Sequence, residues 1–219
     1  MFTTETLLML RDGVVQTLYM TIVSTLFAYL IGAPIGVLLV MTDKQGLRPM
    51  RVVNILLNII VNILRSIPFL ILLVAMIPFT RIVVGTSIGS TATIVPLVIG
   101  AAPFVARLVE SSLKEVDRGV IEAGRSMGAS TFTIIRKILV SEAKPSLITG
   151  SAIALTTILG YSAMAGFVGG GGLGDIAVRF GYYRYQDDIM IITVILLVII
   201  VQIMQEVGTR IAKRTDKRN

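Results

Sequence analysis

The chain has 219 residues, of which 54% are hydrophobic and only 15% charged, with a net charge of +7. Soluble globular domains carry roughly 25% charged residues, and here the apolar residues gather in long uncharged runs, which argues against a soluble domain built on one core. There is no cysteine and no histidine, so disulfides and thiol chemistry are excluded and the commonest metal ligand and general base are missing.

The N-terminus, Met1 to Gly13, lacks the basic start and small-residue cleavage site of a signal peptide. The first apolar run is therefore expected to stay in place and direct its own insertion. About 20 uncharged residues cross the hydrocarbon layer as a helix. Gly13 to Thr42, Ile82 to Ala106, Pro145 to Gly174 and Ile189 to Gln205 are each free of charge, and Val52 to Thr80 is interrupted only by Arg65. The halves either side of Arg65 are too short to cross alone, so Val52 to Thr80 is read as one span.

The positive-inside rule decides between four spans and five. With five, fifteen Lys and Arg lie on one side and four on the other, with Arg65 between; with four, the split falls to thirteen against seven. Five spans are expected, at about 15–41, 52–79, 91–112, 145–168 and 188–208. The N-terminus is then outside and the C-terminus cytoplasmic. One domain, 13–206, is flanked by an extracytoplasmic segment, 1–12, and a basic tail, 207–219. The second span is longer than a straight crossing needs, which predicts tilt or an extension beyond the bilayer. The positive charge is explained by these loops, and nucleic acid is not expected as a partner.

Residues 113–144 form the one long hydrophilic loop, on the cytoplasmic side. Asp117 suits the N-cap of a short helix. Arg118, Glu122 and Arg125 then share one face, and Val120, Gly124 and Met127 another. Gly128 fits a left-handed residue ending that helix. Ser130 caps a second helix with an apolar stripe of Phe132, Ile135 and Leu139. Periodicity alone leaves open a surface-lying connector without a partner.

Further along, Gly160-Tyr161-Ser162-Ala163-Met164 lies in the fourth span. Met164 either packs between helices or lines a pathway with Tyr161 and Ser162, where a thioether would meet a thioether substrate. Arg65 either snorkels to the interface or faces a protein interior or aqueous cavity. The run Gly169 to Asp175, GGGGLGD, lacks the Lys-Ser/Thr ending of a phosphate loop. A tight turn or close helix approach at Gly169 and Gly170 is expected instead, on the outer side, as part of a gate.

The stretch Glu122-Ala123-Gly124, three residues, Gly128, nine residues, then Ile138 resembles the EAA signature of permeases of binding-protein-dependent ABC importers. Gly124 stands where that pattern has a second alanine, and Val140-Ser141 where it has Leu-Pro. Leu64 to Gly89, Ile94 to Glu110 and Gly160 to Ala177 resemble methionine-importer permeases in particular, a similarity running from about Arg11 to the tail. Arg65-Ser66-Ile67-Pro68 is similar to an Arg-x-x-Pro arrangement in amino-acid importer permeases. The resemblance implies an all-α integral membrane protein of the type I ABC importer permease fold, with a cytoplasmic coupling helix. It implies no catalytic residues, metal or cofactor on this chain, and ATP with Mg on a partner ATPase. The implied partners are a dimer of that ATPase, a second copy of the chain, an extracytoplasmic methionine-binding protein and membrane lipid. Glu122, Ala123, Gly124, Arg125, Met127 and Gly128 would meet the ATPase. Other classes need other residues. An ion-coupled carrier needs an intramembrane relay of acids or histidine, and an intramembrane enzyme a nucleophile and base such as Ser162 and Lys144. An importer for another amino acid or small metabolite remains an alternative.

Overall fold

The computed structural model describes residues 4–215, whose regular structure is all helical, with no strand among them. The long helices are α1 (Thr4–Thr42), α5 (Ser90–Lys114), α9 (Lys144–Met164) and α11 (Asp187–Thr215). Each lies in a helical stretch long and apolar enough to cross a membrane. A fifth crossing is counted when α2 (Arg51–Ser66) and α3 (Phe69–Ala75) are taken as one broken span.

The expected second span, 52–79, is broken between α2 and α3. The two helices meet at 94°. Pro68 has no N–H and drives the preceding residue away from the helical region, and Ile67 is extended, with φ −77° and ψ 122°. The chain continues through α4 (Ile77–Val84), which ends at Gly85 with φ +84°. By contrast Pro34, Pro96 and Pro103 remain inside α1 and α5.

α1 and α5 form the centre of the bundle. Gly32 and Gly36, one helical turn apart, let the two backbones close: a Cβ on Gly32 would stand 2.5 Å from Ala102 O, and one on Gly36 2.6 Å from Ala106 O. Such small-residue faces replace the hydrophobic effect, which lipid cannot supply between helices. Met20, Ala28, Leu97, Ala101, Val105, Ala154 and Ile158 fill the surrounding core. α2 is tied in by a stripe of asparagines. Asn54 Nδ2 donates to Leu39 O at 2.9 Å and Thr42 Oγ1 at 3.1 Å, Asn58 bonds back to Asn54, and Asn62 Oδ1 accepts from Arg107 at 2.7 Å.

The opposite arrangement from a soluble protein holds at the surface. Val15, Ile22, Leu26 and Leu30 on α1 and Ile195, Val198, Ile199 and Ile203 on α11 are exposed. α1 begins well before residue 15 because its first turns have a partner. α10 (Gly172–Ile176) and the π-helical Ala177–Tyr182 run beside it, and Leu10 packs with Leu173 and Ile176. At the other end α11 carries the expected basic tail as helix to Thr215, while Lys217 and Arg218 lie outside the described residues.

Candidate functional site

The charged loop folds as a capped helix pair. α6 (Arg118–Ser126) starts at Asp117, whose carboxylate accepts from Gly119 N at 2.7 Å. It stops at Gly128, with φ +76°. There Gly128 N donates to Arg125 O and Ala129 N to Gly124 O, the bond pair of a Schellman ending. Ser130 caps the next run, accepting from Thr133 N at 3.2 Å. That run is α7 (Thr131–Thr133), a π-helical Ile134–Leu139 and α8 (Val140–Glu142).

The π-helical segment changes which residues face inward. Its i→i+5 bonds rotate the following side chains relative to an α-helix. Ile134 and Leu139 are buried and Ile138 half-buried, whereas Phe132 is 69% exposed. Of the expected stripe of Phe132, Ile135 and Leu139, Leu139 is buried and Ile135 packs half-buried against the core, and only Phe132 departs from it. The Val120–Gly124–Met127 face is also split. Ile138 lies over Gly124, where a Cβ would meet its Cδ1 at 2.5 Å, while Val120 and Met127 stay exposed. This contact explains glycine in the second alanine position of the EAA pattern. The second helical run stops at Ala143, and Pro145 enters the first turn of α9. A proline four residues after Ser141 thus supplies the boundary where Leu-Pro is absent.

Arg118, Glu122 and Arg125 do share a face, lining a cleft of about 450 Å³ with Asp43, Gly46 and Lys114. Arg125 Nη2 donates to Gly46 O at 3.3 Å and Leu47 O at 3.1 Å. Glu122 is exposed and forms no ion pair or hydrogen bond among the described residues, and Ala123 is exposed beside it. Deeper in, Lys114 Nζ bridges Asp43 at 2.7 Å and Glu110 at 2.9 Å, and Glu110 takes Arg107 at 2.5 Å. The Lys114 ammonium, hydrogen-bonded to Asp43, holds that carboxyl below the usual carboxylate range.

At the far end of the bundle the glycine run is a tight turn. Gly169, Gly171 and Gly172 all have positive φ. Gly169 O accepts from Gly89 N at 2.9 Å, and Gly170 O from Thr93 Oγ1 at 3.3 Å. Gly172 N donates to Gln16 Oε1 at 2.8 Å and Leu173 N to Thr17 Oγ1 at 2.9 Å. These amides are therefore taken by α1 rather than held open for an anion. Close approach is equally evident at Gly166, where a Cβ would stand 2.3 Å from the carbonyl carbon of Gly174.

The other pathway candidates fall in different settings. Arg65 is exposed in the last turn of α2 and has no partner among the described residues. Tyr161 stacks on Phe69 with ring centroids 4.3 Å apart and planes 6° from parallel. Met164 is exposed. Ser162 is buried and donates to Leu159 O at 2.7 Å, so its hydroxyl is engaged within its own helix. The structure brings together Tyr161 with Phe69, and the residues of α6 with the loop after α1; it shows no contact between these two groups. The asparagine stripe, the Arg107–Glu110–Lys114–Asp43 chain and the Gln16–Thr17 clamp were not anticipated. The spacing of Asn54, Asn58 and Asn62 at every fourth residue of an apolar span was the signal for the first.

The fold is a bundle of apolar helices with a capped, charged helix pair at one end. Residues 32–217 match the family described as binding-protein-dependent transport system inner membrane component, and the chain belongs to it. It is 52% identical to a probable D-methionine transport system permease protein, MetI, of Vibrio cholerae, over 93% of this chain and 90% of that protein. It is 46% identical to the methionine import system permease protein MetP of Bacillus subtilis, over 83% and 82%. A chain of the MetNI methionine ABC transporter in inward-facing conformations superposes with a TM-score of 0.97 at 48% identity, covering 99% of this chain and 100% of that one. A chain of an amino acid ABC transporter shares the fold alone, with a TM-score of 0.73 at 19% identity.

Proposed function

We propose that this chain is the membrane-spanning permease of an ATP-driven methionine importer, handling the D as well as the L form. It works with a second copy of itself, a cytoplasmic ATPase dimer and an extracytoplasmic methionine-binding protein. ATP and Mg²⁺ reside on the ATPase. The charged loop is cytoplasmic, as the distribution of Lys and Arg requires, with the N-terminus outside and the C-terminus inside. The exposed apolar faces of α1 and α11 meet lipid or the second copy.

The observation that carries this reading is the outward face of the helix pair. Met127 is 80% exposed and Phe132 69%, on a helix pair whose N-termini are capped by Asp117 and Ser130, and Glu122 is exposed on another face of α6 with no ion pair among the described residues. Large apolar side chains exposed on a capped, charged helix pair are what a docking surface presents. In this mechanism, closure of the ATPase displaces Glu122 to Gly128, and the spans rock between inward-open and outward-open states. The two states must differ in affinity for nucleotide and binding protein, or nothing is coupled. Methionine passes along the subunit interface, with Arg65, Tyr161 and Met164 facing it. The glycine turn at Gly169 and Gly170 closes the outer side, and Ser162 holds the helix behind Tyr161 and Met164.

Co-purification with the ATPase, followed by uptake of labelled methionine into liposomes, tests the proposal. Uptake that requires ATP and the binding protein is expected. Uptake of a different amino acid in its place would transfer the reading to another importer, and failure to retain the ATPase would overturn it.

A further inference from the structure

α6 is joined to its neighbours by short non-helical links on both sides, Glu115–Asp117 and Met127–Ser130. Force applied to a nine-residue helix through such joints alone would be spent in bending them. A third attachment exists. Arg125 grips the carbonyls of Gly46 and Leu47 in the loop between α1 and α2. That loop is closed on itself by Gly46 N to Asp43 O at 2.9 Å, Arg48 N to Met41 O at 3.0 Å and Met50 N to Thr42 O at 3.1 Å. Its other flank is anchored to the bundle through ion pairs running Asp43, Lys114, Glu110, Arg107 and a hydrogen bond from Arg107 to Asn62. Glu110 is 6% exposed and has both oxygens paired, so the anchor is costly to break.

We infer that loop 43–50 is a strut carrying the displacement of α6 to α1, α2 and α5, with Arg125, Asp43 and Lys114 as positioning residues for energy coupling. The role presupposes that α6 meets the ATPase, as proposed above. The strut sets how much transport is obtained per ATP, not whether the complex assembles. A side chain that merely docks the ATPase would change assembly, and one that merely stabilises the fold would change yield and melting.

The test uses the complete transporter in liposomes, with uptake and ATP hydrolysis measured in the same vesicles and the retained ATPase quantified. Asp43→Ala and Lys114→Ala should each keep the ATPase and keep hydrolysis, while methionine taken up per ATP falls about three- to ten-fold, and Arg125→Ala should lower the same ratio per ATPase retained. Because the chain has no native cysteine, Asp43→Cys/Lys114→Cys can be joined by a short bis-maleimide. The unlinked pair should show the same fall, and linking should restore the ratio. An unchanged ratio in Asp43→Ala and Lys114→Ala, an unchanged ratio per retained ATPase in Arg125→Ala, or a ratio still low after linking would overturn the strut while leaving the importer reading intact. A wild-type chain that retains no ATPase would overturn both.

Discussion

Single residues decide the shape of the charged loop. Gly128 sits at φ +76° with open space around it, so its side chain is excluded by backbone strain and not by crowding. Left-handed geometry costs an L-residue roughly 1–2 kcal/mol. Gly128→Ala should lower ATPase stimulation by the binding protein several-fold while membrane insertion is unchanged; undiminished stimulation would contradict the role given to this ending. Phe132→Ser removes an exposed ring, which in a docked complex is a buried one worth about 1.5–3 kcal/mol. Retained ATPase in a pull-down should therefore drop about ten-fold or more, with no fall in the melting temperature of the isolated chain. Asp43 gives a pH signature. Its carboxyl is held below the usual range, so its ion pair stabilises the fold above the unfolded pKa of roughly 3.9 and is lost as pH falls through the lower folded value. With no histidine in the chain, melting in detergent should be flat from about pH 7.5 to 5.5 and fall only in stronger acid. In Asp43→Ala part of that acid loss should disappear.

At the scale of elements, packing in this protein depends on backbones approaching closely. Gly36→Leu would drive a side chain into Ala106 O and Val109, and overpacking of this kind costs about 1–3 kcal/mol or more. Thermal unfolding of the purified chain should shift down by several degrees, and an unchanged midpoint would mean that α1 and α5 separate more easily than their contact indicates. The same physics explains what could be read from the sequence and what could not. Asp117, Gly128 and Ser130 were legible because caps act through local backbone groups. The long apolar helices were legible because lipid demands long uncharged runs. The stripe was legible at Ile135 and Leu139 but not at Phe132, which is exposed, and no local residue type announces the π-helical segment that adds Ile134 to the buried face. The break at Ile67 and Pro68 was written in the proline, but a 94° bend needs the neighbouring helices that stabilise it. The helical turns of α1 before the expected span were not legible, because they are supported by Leu173 and Ile176, more than 150 positions away in sequence.

For the whole molecule, two ends of one bundle are each fastened to its central helices. Gln16 and Thr17 hold the glycine turn at one end, and the Asp43–Lys114–Glu110 chain holds the charged loop at the other. α1 and α5 reach both fastenings, through Gln16 and Thr93 at the turn and through Asp43, just past α1, and Lys114 at the loop. A displacement at the loop therefore has a packed route to the turn, which is the requirement for alternating access in a permease without its own nucleotide site. The measurement that tests this most directly is methionine uptake by the reconstituted transporter, with ATP inside the liposomes varied at saturating binding protein. Uptake should rise with ATP hydrolysis and vanish when either ATP or the binding protein is withheld. Methionine entry by the permease alone, independent of both, would contradict it.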